Sequence, residues 1–260
     1  MGVKKQLAVL GKIYKLEFKS ALEYRFNFIM QTLGMFINDI FWLIFWFIFF
    51  NKFNTLNGWT LETILYLNSV IVLSWGLTIT FFGNWRKISR LIQTNGIDYY
   101  LTMPKEILSH TLARFTYSGL GDILFGITLA VVVLQWRQVP LYILLVICSA
   151  LIYLSWGIII HSMSFFVGKF ENAAKVMTEA LLTFSFYPFS VYTGATKFFL
   201  LFILPAGLVG SVPVELLKSF SWKWLAIVVG MTLIFLTIAI IMFYSGLKRY
   251  ESGNTMEMRG

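Results

Sequence analysis

From Asn84 to Pro104 the chain reads NWRKISRLIQTNGIDYYLTMP, the one long polar interruption in a sequence that otherwise runs from one apolar stretch to the next. On a helix, Trp85, Ile88, Leu91 and Ile92 fall on one face, while Arg86, Lys87, Arg90 and Gln93 fall on the other. A helix of this kind lies on a membrane surface or docks on a partner. Gly96 follows the last apolar contact and is expected to supply a left-handed C-terminal cap. Pro104 is expected to open the next helix.

On either side of this segment the apolar stretches are long enough to cross a bilayer, which needs about 20 residues for roughly 30 Å of hydrocarbon. The expected spans are Phe26 to Phe50, Leu61 to Gly83, Ile107 to Leu134, Leu141 to Val167 after Pro140, Val176 to Tyr192, and Trp224 to Gly246. Composition agrees. The 260 residues are 58% hydrophobic and 13% charged, with mean hydropathy +0.76, too few charges to cover a soluble globule of this size. The 26 Phe, 12 Tyr and 9 Trp suit a surface facing acyl chains with rings at the interfaces. The net charge of +9 sits at span ends, where it meets anionic lipid headgroups, and leaves no basic face for nucleic acid. Cys148 is alone, so no intrachain disulfide forms, and Lys4, Lys5, Lys12, Lys15 and Lys19 break up any secretory leader.

Residues 1–24 place Val3, Leu7, Leu10, Tyr14 and Ala21 on one stripe and Lys5, Lys12 and Lys19 elsewhere, the pattern of an interfacial amphipathic helix. Residues 198–216, FFLLFILPAGLVGSVPVEL, are apolar but carry Pro205, Gly207, Gly210 and Pro213, which interrupt a continuous helix. Broken backbone at membrane depth must be shielded by protein or line a cavity, so the segment 197–217 is expected to form two short re-entrant helices on the outer side. The alternative is a seventh span. With six spans, Lys52, Arg137, Lys197, Lys218 and Lys223 lie outside and the remaining 16 of 21 Lys and Arg lie inside, which places both termini in the cytoplasm.

Few ionisable groups fall within the spans, and each costs about 2.5 to 3.5 kcal/mol if it faces lipid. Asp39, beside Asn38, is near the middle of the first span. Asp122 lies in the third, with Arg114 and Ser118 at four-residue steps before it, His161 lies near the inner end of the fourth, and Glu179 opens the fifth. Such residues form a polar substrate path or proton relay; the competing reading is interhelical hydrogen bonding, or snorkelling for Arg114 and Glu179. Gly119, Gly121 and Gly126 are expected to let helices approach closely. The sequence contains no HExxH, GxSxG or Cys/His pair, two histidines cannot build a histidine-rich metal site, and GxxxxGK[ST] is missing, so ATP hydrolysis must come from another subunit.

Three stretches carry a resemblance: SALEYRFNFI (20–29); FFGNWRKISRLIQTNGIDYYLTMP (81–104) with SGLGD (118–122); and FYPFSVYTG (186–194) through LPAGLVGSVP (204–213) to GLKRYESG (246–253). In this order they resemble the permease subunits of ABC-2 type exporters, in particular the ABC-2 family transporter group first catalogued as uncharacterised bacterial permeases. The resemblance covers nearly the whole chain. It implies an all-α integral membrane fold in a single transmembrane domain over 1–260, with an interfacial helix (1–24), six spans, a cytoplasmic coupling helix (84–104) between spans two and three, and re-entrant outer helices before span six.

It also implies a dimeric permease in the bacterial cell membrane. The partners would be two copies of an ABC ATPase, a second permease subunit, identical or related, and membrane lipids. ATP and magnesium would sit on the ATPase, with no cofactor on this chain and no catalytic residue or metal ligand in it. Trp85, Arg86, Lys87, Ile88, Arg90, Leu91, Ile92, Gly96 and Asp98 would form the coupling surface, the polar members meeting the ATPase and Ile88, Leu91 and Ile92 anchoring the helix. A lipid, amphiphilic drug or hydrophobic peptide fits the expected path. The rivals are an ion-coupled carrier or channel using Asp39, Asp122 and Glu179, disfavoured because no internal repeat is found, and a lipid-modifying membrane enzyme, which lacks an acid–base cluster.

Overall fold

The protein, seen in a computed structural model, is described over residues 3–103 and 105–250. The expectation for Pro104 and the tail beyond Tyr250, including Arg259, lies outside these residues. The described chain is helical and without strands: α1 (Val3–Glu23), α2 (Arg25–Lys52), α3 (Leu61–Phe82), a 3-10 turn at Trp85–Lys87, α4 (Ile88–Gln93), α5 (Ile97–Leu101), α6 (Ile107–Leu112), α7 (Gly119–Val133), α8 (Val139–Ser162), α9 (Ser164–Val167), α10 (Glu171–Ser185), α11 (Gly194–Phe202), α12 (Ala206–Val209), α13 (Ser211–Lys218) and α14 (Trp222–Leu247).

Among the described residues, four stretches are long and apolar enough to cross a membrane: α2, α3, Trp136–Val167 around α8, and α14. They match the expected spans one, two, four and six. Thr60 caps α3 by accepting a hydrogen bond from the Thr63 N–H, and Pro140 sits in the first turn of α8, where its missing N–H costs nothing.

The bounds of the other two expected spans are corrected. The third is broken between Leu112 and Gly119, because Ala113 leaves the helix in extended geometry and the next residues run along the end of α3. Their backbone groups are taken up there: Gly83 N–H donates to the Arg114 carbonyl at 3.0 Å, Thr116 N–H to the Thr80 carbonyl at 3.0 Å, and Phe115 N–H to the Glu17 carboxylate of α1. What remains, α7, has 15 residues and rises about 22 Å. The fifth span begins earlier than expected and stops earlier. The 15-residue α10 starts at Glu171 and ends at Ser185, ahead of Pro188, which disfavours helix at the residue before it.

α3 is the axis of the molecule: 83% of its most apolar stretch is enclosed by the rest of the chain. Close contact with α7 depends on small residues, as expected of Gly119 and Gly126. A Cβ on Gly119 would lie 2.7 Å from the Gly76 carbonyl, and one on Gly126 would lie 2.7 Å from Leu73 Cβ. Gly121 similarly admits α2, whose Thr32 carbonyl would be 2.2 Å from an added Cβ. On its other side α3 packs on α8, where Ser69 Oγ and Tyr142 Oη share a 2.5 Å hydrogen bond and Thr78 donates to the Ala150 carbonyl.

Candidate functional site

The segment after α3 folds back against the bundle. Trp85 is wholly buried, seated where Gly157 of α8 has no side chain; a Cβ there would lie 2.2 Å from the indole. Its ring meets Trp75 at 5.9 Å and His161 at 5.9 Å, both edge-on. Ser89 Oγ is 2.9 Å from His161 Nδ1 and donates to the His161 carbonyl, while Gln93 donates to the Gly168 carbonyl at 3.2 Å.

Ile88 and Ile97 are fully buried and Ile92 nearly so, while Leu91 is half-buried with its side chain against Gly96. The amphipathic reading of the faces therefore holds, but its apolar side is used up inside this chain. Ile88 and Ile92 pack the segment against the bundle of this chain. The left-handed turn is likewise corrected: Asn95 takes it at φ 59°, and Gly96 is ordinary helical backbone at φ −67°. Asn tolerates this geometry through its short polar side chain.

The opposite side presents Arg86, Lys87, Arg90 and Tyr99 to solvent. Arg86 pairs with Glu179 of α10 at 2.6 Å and lies over the Trp75 ring at 5.8 Å. Partial burial, with Arg114 and then Arg90 nearby, lowers the pKa of the Lys87 ammonium. Tyr250, just past α14, donates to Asn95 Oδ1 at 3.4 Å; burial and the neighbouring Asp98 push its hydroxyl pKa up.

A second feature lies deeper. Asn38 and Asp39 of α2 and Asp122 of α7 line one cavity of about 90 Å³, closed by Met35, Trp42, Val72, Trp75, Leu182 and Phe186. Asp39 and Asp122 are buried, and Asp39 Oδ2 and both Asp122 oxygens have no hydrogen-bond partner. Among the described residues neither carboxylate forms an ion pair. Trp42 and Phe186 stack face to face, with centroids 5.5 Å apart and planes inclined by 5°.

The five expected path residues thus separate into two groups. Asn38, Asp39 and Asp122 meet, whereas His161 and Glu179 belong to the packing of the 84–103 segment. Arg114 and Ser118 do not continue the Asp122 face, since α7 begins only at Gly119; Arg114 instead approaches Asn84 Oδ1 at 3.4 Å. Sequence reasoning missed Trp42, Trp75 and Phe186 as walls. These come from α2, α3 and the residue that follows α10, and their meeting follows no spacing along the chain.

The proline- and glycine-broken stretch forms three short helices, α11 to α13, rather than two or a seventh span. Pro205 precedes α12 and Pro213 lies in the first turn of α13. Gly207 packs under the Phe189 ring, and a Cβ on Gly210 would lie 2.8 Å from the Ser185 carbonyl. Freed backbone groups find side chains: Ser149 donates to the Val209 carbonyl at 2.8 Å, Gln138 to the Leu217 carbonyl at 2.9 Å, and Phe189 N–H to Ser211 Oγ at 2.9 Å. Lys218 reaches Thr63, at the end of α3 away from Trp85. Among the described residues no group of three or more His, Cys, Asp or Glu is placed to hold a metal.

Apolar helices around an enclosed axis, with broken segments shielded at either end, define a multi-pass membrane protein. The chain belongs to the ABC-2 family of transporter proteins, whose family model matches residues 36–254. No curated protein and no solved structure matches it. Membership makes it a transporter component and implies association with ABC ATPase partners, the ATPase motif being theirs.

Proposed function

We propose that this chain is the membrane subunit of an ATP-driven exporter that moves a lipophilic or amphiphilic substrate outward across the bacterial cell membrane. Two such permease subunits, identical or related, engage two ATPase subunits, which carry ATP and magnesium. In this arrangement α2, α3, α6–α7, α8–α9, α10 and α14 make six membrane passages, with both termini in the cytoplasm, α1 along the inner interface and α11–α13 as the re-entrant outer segment.

The observation that carries this reading is the two-sided packing of the 84–103 segment. Its apolar side is held by α8, α9 and α10, and its cationic side, Arg86, Lys87 and Arg90, is exposed where an ATPase can meet it. Force applied there passes along two short links: Arg86 to Glu179 on α10, and Trp85 to Trp75. Leu182 and Phe186 at the far end of α10, and Trp75 itself, wall the cavity. ATPase closure therefore biases the cavity between two shapes.

The test is affinity purification of the tagged chain in mild detergent. A stoichiometric P-loop ATPase is expected, reduced by Arg90→Glu at unchanged yield of the chain; a chain purified without any ATPase would defeat the proposal. The unpartnered Asp39 and Asp122 favour one second reading, an ion-coupled carrier, in which transport survives loss of the ATPase and collapses with an uncoupler.

A further inference from the structure

We propose that the cavity between Asp39 and Asp122 binds the ammonium head of an amphiphilic amine; this rests on the permease reading and names its substrate class. A buried carboxylate without a partner is costly, and two facing one cavity are tolerable only when a positive charge meets them or a proton neutralises them. No side chain of the described residues supplies that charge.

The remaining wall is what an organic cation needs. Trp42, Trp75 and Phe186 line the same cavity as the carboxylates, an aromatic wall of low dielectric beside which a carboxylate attracts a cation more strongly than it does in water. The volume, about 90 Å³, admits a primary ammonium head. Carboxylates facing inward also repel phosphate and sulfate heads.

The open side shows where the rest of the ligand goes. Asn38 is exposed and Met35, Trp42 and Leu182 are half-buried, whereas Asp39, Val72, Trp75, Asp122 and Phe186 are buried. The cavity thus opens between α2 and α10, beside the exposed apolar residues Ile37 and Phe41. An apolar tail stays in the hydrocarbon while the head enters sideways, with the Asn38 amide at the mouth.

The test uses the full chain in nanodiscs of neutral lipid, without any ATPase, titrated with dodecylamine, dodecyl sulfate and dodecanol while tryptophan fluorescence is followed. Dodecylamine is expected to give a saturable change that methylammonium competes away, with affinity at least about tenfold weaker in Asp122→Asn and in Asp39→Asn. If one variant fails to fold, the other and the methylammonium competition on the unaltered chain still decide. Equal responses to all three amphiphiles, undiminished amine affinity in the variants, or a response to sodium with none to the amine would each overturn the proposal. Because no ATPase takes part, failure here leaves the exporter reading standing, and failure to retain an ATPase leaves amine binding standing.

Discussion

Two stretches break the helical pattern, residues 84–103 beside Trp85 and residues 194–218 beside Thr63, and they are held in different ways. The first is locked by a large side chain in a gap, Trp85 over Gly157, and keeps a cationic face open. The second is held by hydrogen bonds to its freed carbonyls from Ser149 and Gln138 and buries nearly all of α12 and α13. The difference is one of exposure: the first leaves a charged face open to solvent, while the second turns nearly all of α12 and α13 inward.

Trp85→Ala tests the first lock hardest. Emptying a fully buried indole site is expected to cost about 3 to 5 kcal/mol, seen as early unfolding in a detergent-solubilised melt. Gly210→Ala is next: its Cβ is driven towards the Ser185 carbonyl, and overpacking of this sort costs about 1 to 3 kcal/mol. Ser149→Ala removes one donor from the Val209 carbonyl and should lower stability by about 1 kcal/mol in the same assay. Should Ser149→Ala prove as damaging as Trp85→Ala, the contrast between the two locks falls.

Arg86→Ala tests the proposed force path apart from stability. Its pair with Glu179 is largely exposed and worth about 0 to 1 kcal/mol, so the melt should barely move, while substrate stimulation of the associated ATPase should drop. The smallest effect concerns Tyr250. Its folded-state pKa is raised, so the folded chain keeps the phenol proton where the unfolded chain has lost it, and its contribution is full below about pH 10 and falls as pH rises further. Tyr250→Phe should flatten that alkaline decline in a melt series.

Continuous apolar runs made α2, α3, α8 and α14 legible, because each is longer than the bilayer requires and nothing else in the sequence competes. The break at residues 113–118 was not, since Ala-Arg-Phe-Thr-Tyr-Ser contains no proline or glycine; it is imposed by the end of α3 and by Glu17. Periodicity separated the two faces of the 84–103 segment but said nothing of which face turns inward. That was decided by Gly157, more than fifty positions away. For the same reason Asp39 and Asp122 were readable singly, but not as a pair.

α2 deserves a last consequence. It has 28 residues, about 42 Å of helix, against 22 residues or about 33 Å for α3, and only 11% of its most apolar stretch is enclosed by the chain. In hydrocarbon about 30 Å thick a helix of this length either tilts or carries its polar ends beyond the core, and its hold on the bundle is the close approach to α7 at Gly121. Asp39 sits on α2 and Asp122 on α7, which is clamped to α3, so a bilayer thickness that changes the tilt of α2 is expected to change the distance between the two carboxylates and make lipid chain length a control on the cavity.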